Sequence, residues 1–209
     1  MNLDRLKFSL PPATARQLRT WLALGGLTFV AGLLLAPQRL WPNVLLASYF
    51  VLGMGLAGAF FVALQYVSGA GWSVALRRIP EAMVMLIPTG AIGLALVLLA
   101  RSSLYPWTSV SGGPGEALHG FKHVWLNLPF FLVRSAIYLA AWILLALAIV
   151  RTSRRQDADG DAAHTQRNVR LSAVFIVVFG ATFWLASFDW IMSLEPHWYS
   201  TIFGVYNFA

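Results

Sequence analysis

The 209-residue chain contains no cysteine. Thiolate-held iron–sulfur clusters, thioether-attached c-type haem and disulfide frameworks are thereby excluded. Charge is scarce as well: Asp, Glu, Lys and Arg make up 11% of the residues, too few to coat a water-soluble domain with a polar shell. What stands in its place is apolar surface, 58% hydrophobic and 14% aromatic. A bilayer core of about 30 Å takes roughly 20 apolar residues per helix. The expected fold is therefore all-α, a polytopic transmembrane helical bundle.

Five spans are expected, at about 21–36, 41–67, 80–100, 128–150 and 169–187, with the start of a sixth over 200–209. Ten residues rise only about 15 Å as helix, so the chain reads as truncated within its sixth span. All spans form a single transmembrane domain, and residues 152–168, RTSRRQDADGDAAHTQR with its flanks, read as a flexible polar cytoplasmic linker. The amino terminus, MNLDRLKFSLPPATARQLRT, is basic but lacks the small-residue cleavage site of a secretory signal. The first span is read as retained.

Translocating positive charge is disfavoured, so lysines and arginines near span ends set the orientation. Arg5, Lys7, Arg16, Arg19, Arg77, Arg78, Arg151, Arg154, Arg155, Arg167 and Arg170 fall on one side, against Arg39, Arg101 and Lys122 on the other. Eleven against three places the amino terminus in the cytoplasm and the segment after span five at the exterior. The net charge of +7 is then a topology signal that requires no nucleic-acid partner.

Within the second span, LGMGLAGAF sets Gly53 four residues from Ala57 and Gly55 four from Ala59, a flat face for close helix packing. In the third, Pro88 removes an amide donor and should free the carbonyl of Val84, giving a kink. A transporter would use that break, with Thr89 and Gly90, as a midplane site. Spans one, two, three and five, however, carry no ionisable residue near their centres.

Ionisable groups at membrane depth are costly and are paired or functional. Arg134 lies inside span four and Asp189 just past span five, on the same side as Glu195 and His197. An Arg134–Asp189 pair is expected, either as a structural clamp or within a proton or ligand site. Glu81 falls in the first turn of span three, where the helix dipole and Arg77 or Arg78 would hold it; its other reading is a cytoplasmic proton relay. His119 and His123 are four apart and could share a metal or haem, but no third ligand is near, so no metal site is assigned. Trp41, Trp72, Trp107, Trp125, Trp190 and Trp198 sit near span ends, as an interfacial belt does. The group Trp190, Trp198 and Tyr199 differs in being interleaved with acids and a histidine, the mixture a quinone headgroup needs: flat apolar surface with proton acceptors beside it.

The stretch SFDWIMSLEPHWYSTIFGVYNFA, with YVSGAGWSVALRRIPEAM, LYPW and HGFKHVWLNLPFFLVRSAIYLAAW, resembles the ActF membrane subunit family of bacterial alternative complex III, from about Tyr49 to Ala209. That family, a component of a quinol:cytochrome c oxidoreductase, is similar in turn to the NrfD-like quinone-interacting subunits. The resemblance implies a helical-bundle subunit of a respiratory complex in the bacterial inner membrane, with no redox cofactor of its own. Its implied partners are membrane lipid, an NrfD-like sister subunit to which the quinol site is usually assigned, and iron–sulfur and cytochrome c subunits. The motif residues that carry over are Asp189, Glu195, Pro196, His197 and Trp198. Family members have more spans than are present here.

The expected function is then support of quinol oxidation: quinone against Trp190, Trp198 and Tyr199, protons taken by Asp189, Glu195 and His197, Arg134 holding Asp189 ionised, and Glu81 relaying at the cytoplasmic face. The alternatives are a structural assembly subunit, whose acids are merely paired, and a small-solute or ion transporter.

Overall fold

The computed structural model describes residues 11–108 and 121–209. Five of its helical segments are long and apolar enough to cross a membrane, and no strand occurs among the described residues. The chain is a multi-pass helical bundle.

Helix α1, Pro12–Leu35, and α2, Pro37–Val67, are separated by the single residue Ala36. Proline disfavours helical backbone in the residue before it, and Ala36 accordingly sits at φ −152°, ψ 60°. Helix α1 buries none of its residues. Among the described residues its one ring contact is Phe29 against Trp41, edge to face at 6.4 Å.

The third span is broken, into α3, Arg78–Met83, and α4, Leu86–Leu99. Pro88 explains the break: lacking an N–H, it leaves the Val84 carbonyl without its usual partner. That carbonyl instead accepts the Ile87 N–H at 3.0 Å, a tighter turn that interrupts the helix between α3 and α4.

Helix α2 packs closely along α3 and α4, and glycine makes this approach possible. A Cβ on Gly55 would stand 2.7 Å from the Ile87 amide nitrogen, and one on Gly90 would stand 2.6 Å from that of Leu52. Of the two small pairs in the sequence, Gly55 and Ala59 form this face. Gly53 has open space around its Cβ position and Ala57 is exposed.

After α5, Phe121–Trp125, helices α6, Leu128–Asp159, and α7, Ala163–Trp190, form one long antiparallel hairpin. Residues 152–168, expected as a flexible linker, are helical on both sides of a short turn. Their polarity misled: Thr152, Ser153 and Asn168 face inward and are buried, while the turn is built by Gly160 at φ +71°. Asp159 and Asp161 then cap the amides of Asp161 and Ala163 at 3.0 and 2.8 Å. The core between α2, α6 and α7 is aromatic, with Phe175, Phe179, Phe183, Trp142 and Trp190 in mutual ring contact. Helix α8, Phe203–Phe208, folds back so that Phe208 meets Phe60 and Phe179.

Two ends of the bundle are chemically distinct. At one, Arg77 and Arg78 meet Asp157 of the α6–α7 hairpin; at the other, the segments around 105, 122 and 195 come together. These are called the basic end and the aromatic end below.

Candidate functional site

At the aromatic end, helix α7 stops at Trp190 and leaves carbonyls without intrahelical partners. Tyr105 Oη donates to the Trp190 carbonyl at 3.0 Å, the Ser193 hydroxyl donates to that of Asp189, and Trp107 Nε1 donates to that of Ser193 at 3.1 Å. This tight stop fixes Asp189 in the last turn of α7, facing α6.

Arg134 and Asp189 form a two-pronged pair. Arg134 Nε donates to Asp189 Oδ2 at 3.0 Å and Nη2 to Oδ1 at 2.7 Å. Asp189 is wholly buried and Arg134 nearly so. Two further donors complete the carboxylate: Trp125 Nε1 to Oδ1 at 2.9 Å and Tyr138 Oη to Oδ2 at 3.2 Å. A carboxylate offers about four lone-pair sites, and here four donors occupy them. The guanidinium packs into the corner between two nearly perpendicular rings, with its central carbon 4.1 Å from the Trp125 ring centre and 4.2 Å from that of Phe130. Its Nη2 also donates to the Trp125 carbonyl at 3.0 Å. The carboxylate is thus buried with its opposite charge and its hydrogen bonds satisfied, the condition under which such burial is tolerated, while Arg134 Nη1 is buried with no hydrogen-bond partner among the described residues.

Trp125 turns one edge to this pair and forms part of the wall of a groove of about 560 Å³. The rest of the wall is mainly Trp184, Phe188, Met192, Trp198 and Tyr199, with Lys122 as its charged residue. Lys122 Nζ donates to the Pro196 carbonyl at 2.7 Å and lies 5.5 Å from the centre of the Tyr199 ring. It pins the 195–199 segment against α5.

The residues expected to act together are therefore arranged in layers. Arg134 and Asp189 are buried and joined. Trp198 and Tyr199 line the groove. Trp190 lies in the core, fully buried, donating from Nε1 to Ser135 Oγ at 2.9 Å, and does not reach the groove wall. Glu195 and His197 are exposed beyond it. Among the described residues neither side chain has a hydrogen-bonding or ionic partner. His123 is exposed, His119 falls outside the described residues, and no group of three metal-ligating side chains occurs among those described.

Glu81 belongs to the other end. It is 2% exposed, paired with Arg77 at 3.4 Å and with Arg78. Arg77 donates to Tyr66 Oη at 2.9 Å, and Arg78 Nη1 reaches Ser153 Oγ at 3.3 Å. Both arginines share Asp157.

Sequence reasoning missed Trp125 and Tyr138 as partners of Asp189. Tyr138 was legible, since it stands one turn after Arg134 on the same helix face. Trp125 was not, because the chain turns between α5 and α6 and spacing loses its meaning there.

In comparison with known proteins, no family model and no curated sequence matches this chain.

Proposed function

We propose that this chain is a membrane subunit of a quinol-oxidising electron-transfer complex in a bacterial inner membrane, with its basic end and amino terminus in the cytoplasm. The observation that carries the reading is the groove itself: apolar, aromatic and large enough for a substituted ring, with one wall residue, Trp125, hydrogen-bonded to a buried ion pair. Ligand sites of this kind are mostly apolar with a few placed polar groups. The wall suits a quinone ring and its hydrocarbon tail.

In this reading Asp189 and Arg134 are positioning residues. With its acceptor sites filled, Asp189 holds Trp125 and Arg134 in place; the groups open to protons are Glu195 and His197 at the rim. Oxidation of quinol releases two electrons and two protons. The electrons pass to iron–sulfur and cytochrome c partners, since this chain has no thiolate to hold such a centre, and the protons leave at the outer face.

The test is photolabelling of the intact assembly in membranes with a photoreactive quinone. Label is expected in the segment 184–201 and should be displaced by excess quinol. Label confined to other subunits would contradict the proposal.

A second reading, a structural assembly subunit, is favoured by one specific observation: the saturated carboxylate of Asp189 ties α5, α6 and α7 together without a free acceptor site. It differs in predicting no quinone label on this chain.

A further inference from the structure

Several buried polar atoms at the basic end lack hydrogen-bond partners among the described residues. Asn168 is 0% exposed, and neither its Oδ1 nor its Nδ2 has one; Ser172, also 0% exposed and one turn further along α7, has none for its hydroxyl. Gln156 Oε1 also lacks one, and Glu81 Oε1 and Arg77 Nε, 3.4 Å apart as an ion pair, make no hydrogen bond. A buried amide or hydroxyl left unpaired costs on the order of 1–3 kcal/mol each, and several together are not sustained in a dry interior. Buried polar groups of this kind are held by ordered water.

The groups belong to one region. Cross-helix bonds Gln156–Thr165, Trp142–Thr182 and Arg134–Asp189 keep α6 and α7 in a single antiparallel register. That register brings Asn168 level with Ser153, and Ser172 level with Ile149 and Val150. Ser153 is bonded to Arg78, and Arg78 is paired with Glu81. At the mouth lies a partly polar cavity of about 410 Å³, whose walls include Tyr66, Arg77, Gln156, Asp157 and Thr165. Since water fills about 30 Å³ per molecule in the liquid, this mouth has room for several molecules.

We infer that the basic end contains a blind, water-filled inlet, running from this cavity past Arg77 and Glu81 to Asn168 and Ser172. It ends there because the next turns of α7 present Phe175, Phe179 and Phe183, with Phe175 stacked on Phe179 at 5.5 Å and an interplanar angle of 2°. Water thus reaches Glu81 from the basic end, and the aromatic core separates it from Asp189. The inference does not depend on quinone binding; it rests on the unpaired buried atoms alone.

A chain without cysteine allows a direct test. Single variants Ser172→Cys and Ala146→Cys, the latter in the dry core, are exposed to silver ion added at the basic face of membranes holding the full assembly. This chain is then separated from the denatured assembly and its own unreacted thiol is counted. Ser172→Cys is expected to react at least about tenfold faster than Ala146→Cys, because a thiol reached by water reacts through its thiolate and one in dry packing does not. Adding Asn168→Leu should slow it. If Ser172→Cys fails to fold, Ser153→Cys serves in its place with the same expectation. Equal rates for the inlet and core positions would overturn the inference.

Discussion

The Trp125 indole nitrogen donates to Asp189 Oδ1 at 2.9 Å, and through this bond the wall of an aromatic groove is fixed to a buried ion pair. One ring thereby belongs both to the groove and to the joint that holds three helices. Variants at Trp125 should accordingly affect both, whereas variants of residues that belong to the joint or to the groove alone should separate in their effects.

Asp189→Asn keeps the side chain's shape but leaves the Arg134 charge buried without its counter-charge, a change that costs about 3–5 kcal/mol. The expected outcome is a large fall in assembled complex, with turnover per assembled complex near the wild-type value. Arg134→Met with Asp189→Leu should recover more assembled protein than either single change, since the charge is then removed along with its partner. Yield by size-exclusion chromatography and turnover on the same fraction check both.

Gly90→Ala should destabilise by at least about 1–3 kcal/mol, the range for overpacking a closed contact, because the added methyl would meet the Leu52 backbone. Gly53→Ala, with nothing within 4 Å, should be neutral or slightly stabilising. Thermal unfolding in detergent distinguishes them.

Much of the fold was legible in the sequence because membrane spans are written in hydropathy, and the Gly55–Ala59 face of α2 and the Pro88 break survived in the structure, while Gly53 and Ala57 did not join that face. The α6–α7 hairpin was not. Its polar residues were read as solvated, yet Ser153 and Asn168 point inward, and hydropathy averages cannot tell an inward serine from an outward one. In the site, the Arg134–Asp189 pair followed from depth and sign of charge. The placement of Trp190 in the core did not, because one turn separates a groove residue from a core residue and the residue type suits both.

Tyr105 lies in the segment between α4 and α5, outside the spans, and its hydroxyl donates to the Trp190 carbonyl. Burial, reinforced by the nearby Asp189 charge, pushes its phenol above the usual value. Tyr105→Phe should cost about 1–3 kcal/mol by stranding that carbonyl. A raised folded value means that the protonated form's contribution is complete below the unfolded pKa of about 10 and is lost as pH rises toward the folded one. The difference in unfolding temperature between wild type and Tyr105→Phe should be flat between pH 6 and 9, flagged by roughly equal shifts, and should narrow above about pH 10.

Gly160 turns the α6–α7 hairpin at φ +71°, a conformation that costs an L-residue roughly 1–2 kcal/mol. Gly160→Ala should lower stability by about that amount and Gly160→Asn by less, as read by thermal unfolding.

The groove is tested most directly by quinol oxidation in the purified assembly carrying Trp198→Ala, normalised to assembled complex and set beside Trp190→Phe. Trp198 lines the groove and Trp190 does not. A rise in KM for quinol of about tenfold, the loss of one stacking contact of roughly 1–2 kcal/mol, is expected for Trp198→Ala with assembly intact, while Trp190→Phe lowers yield and leaves KM alone. An unchanged KM in fully assembled Trp198→Ala would contradict quinone binding in this groove.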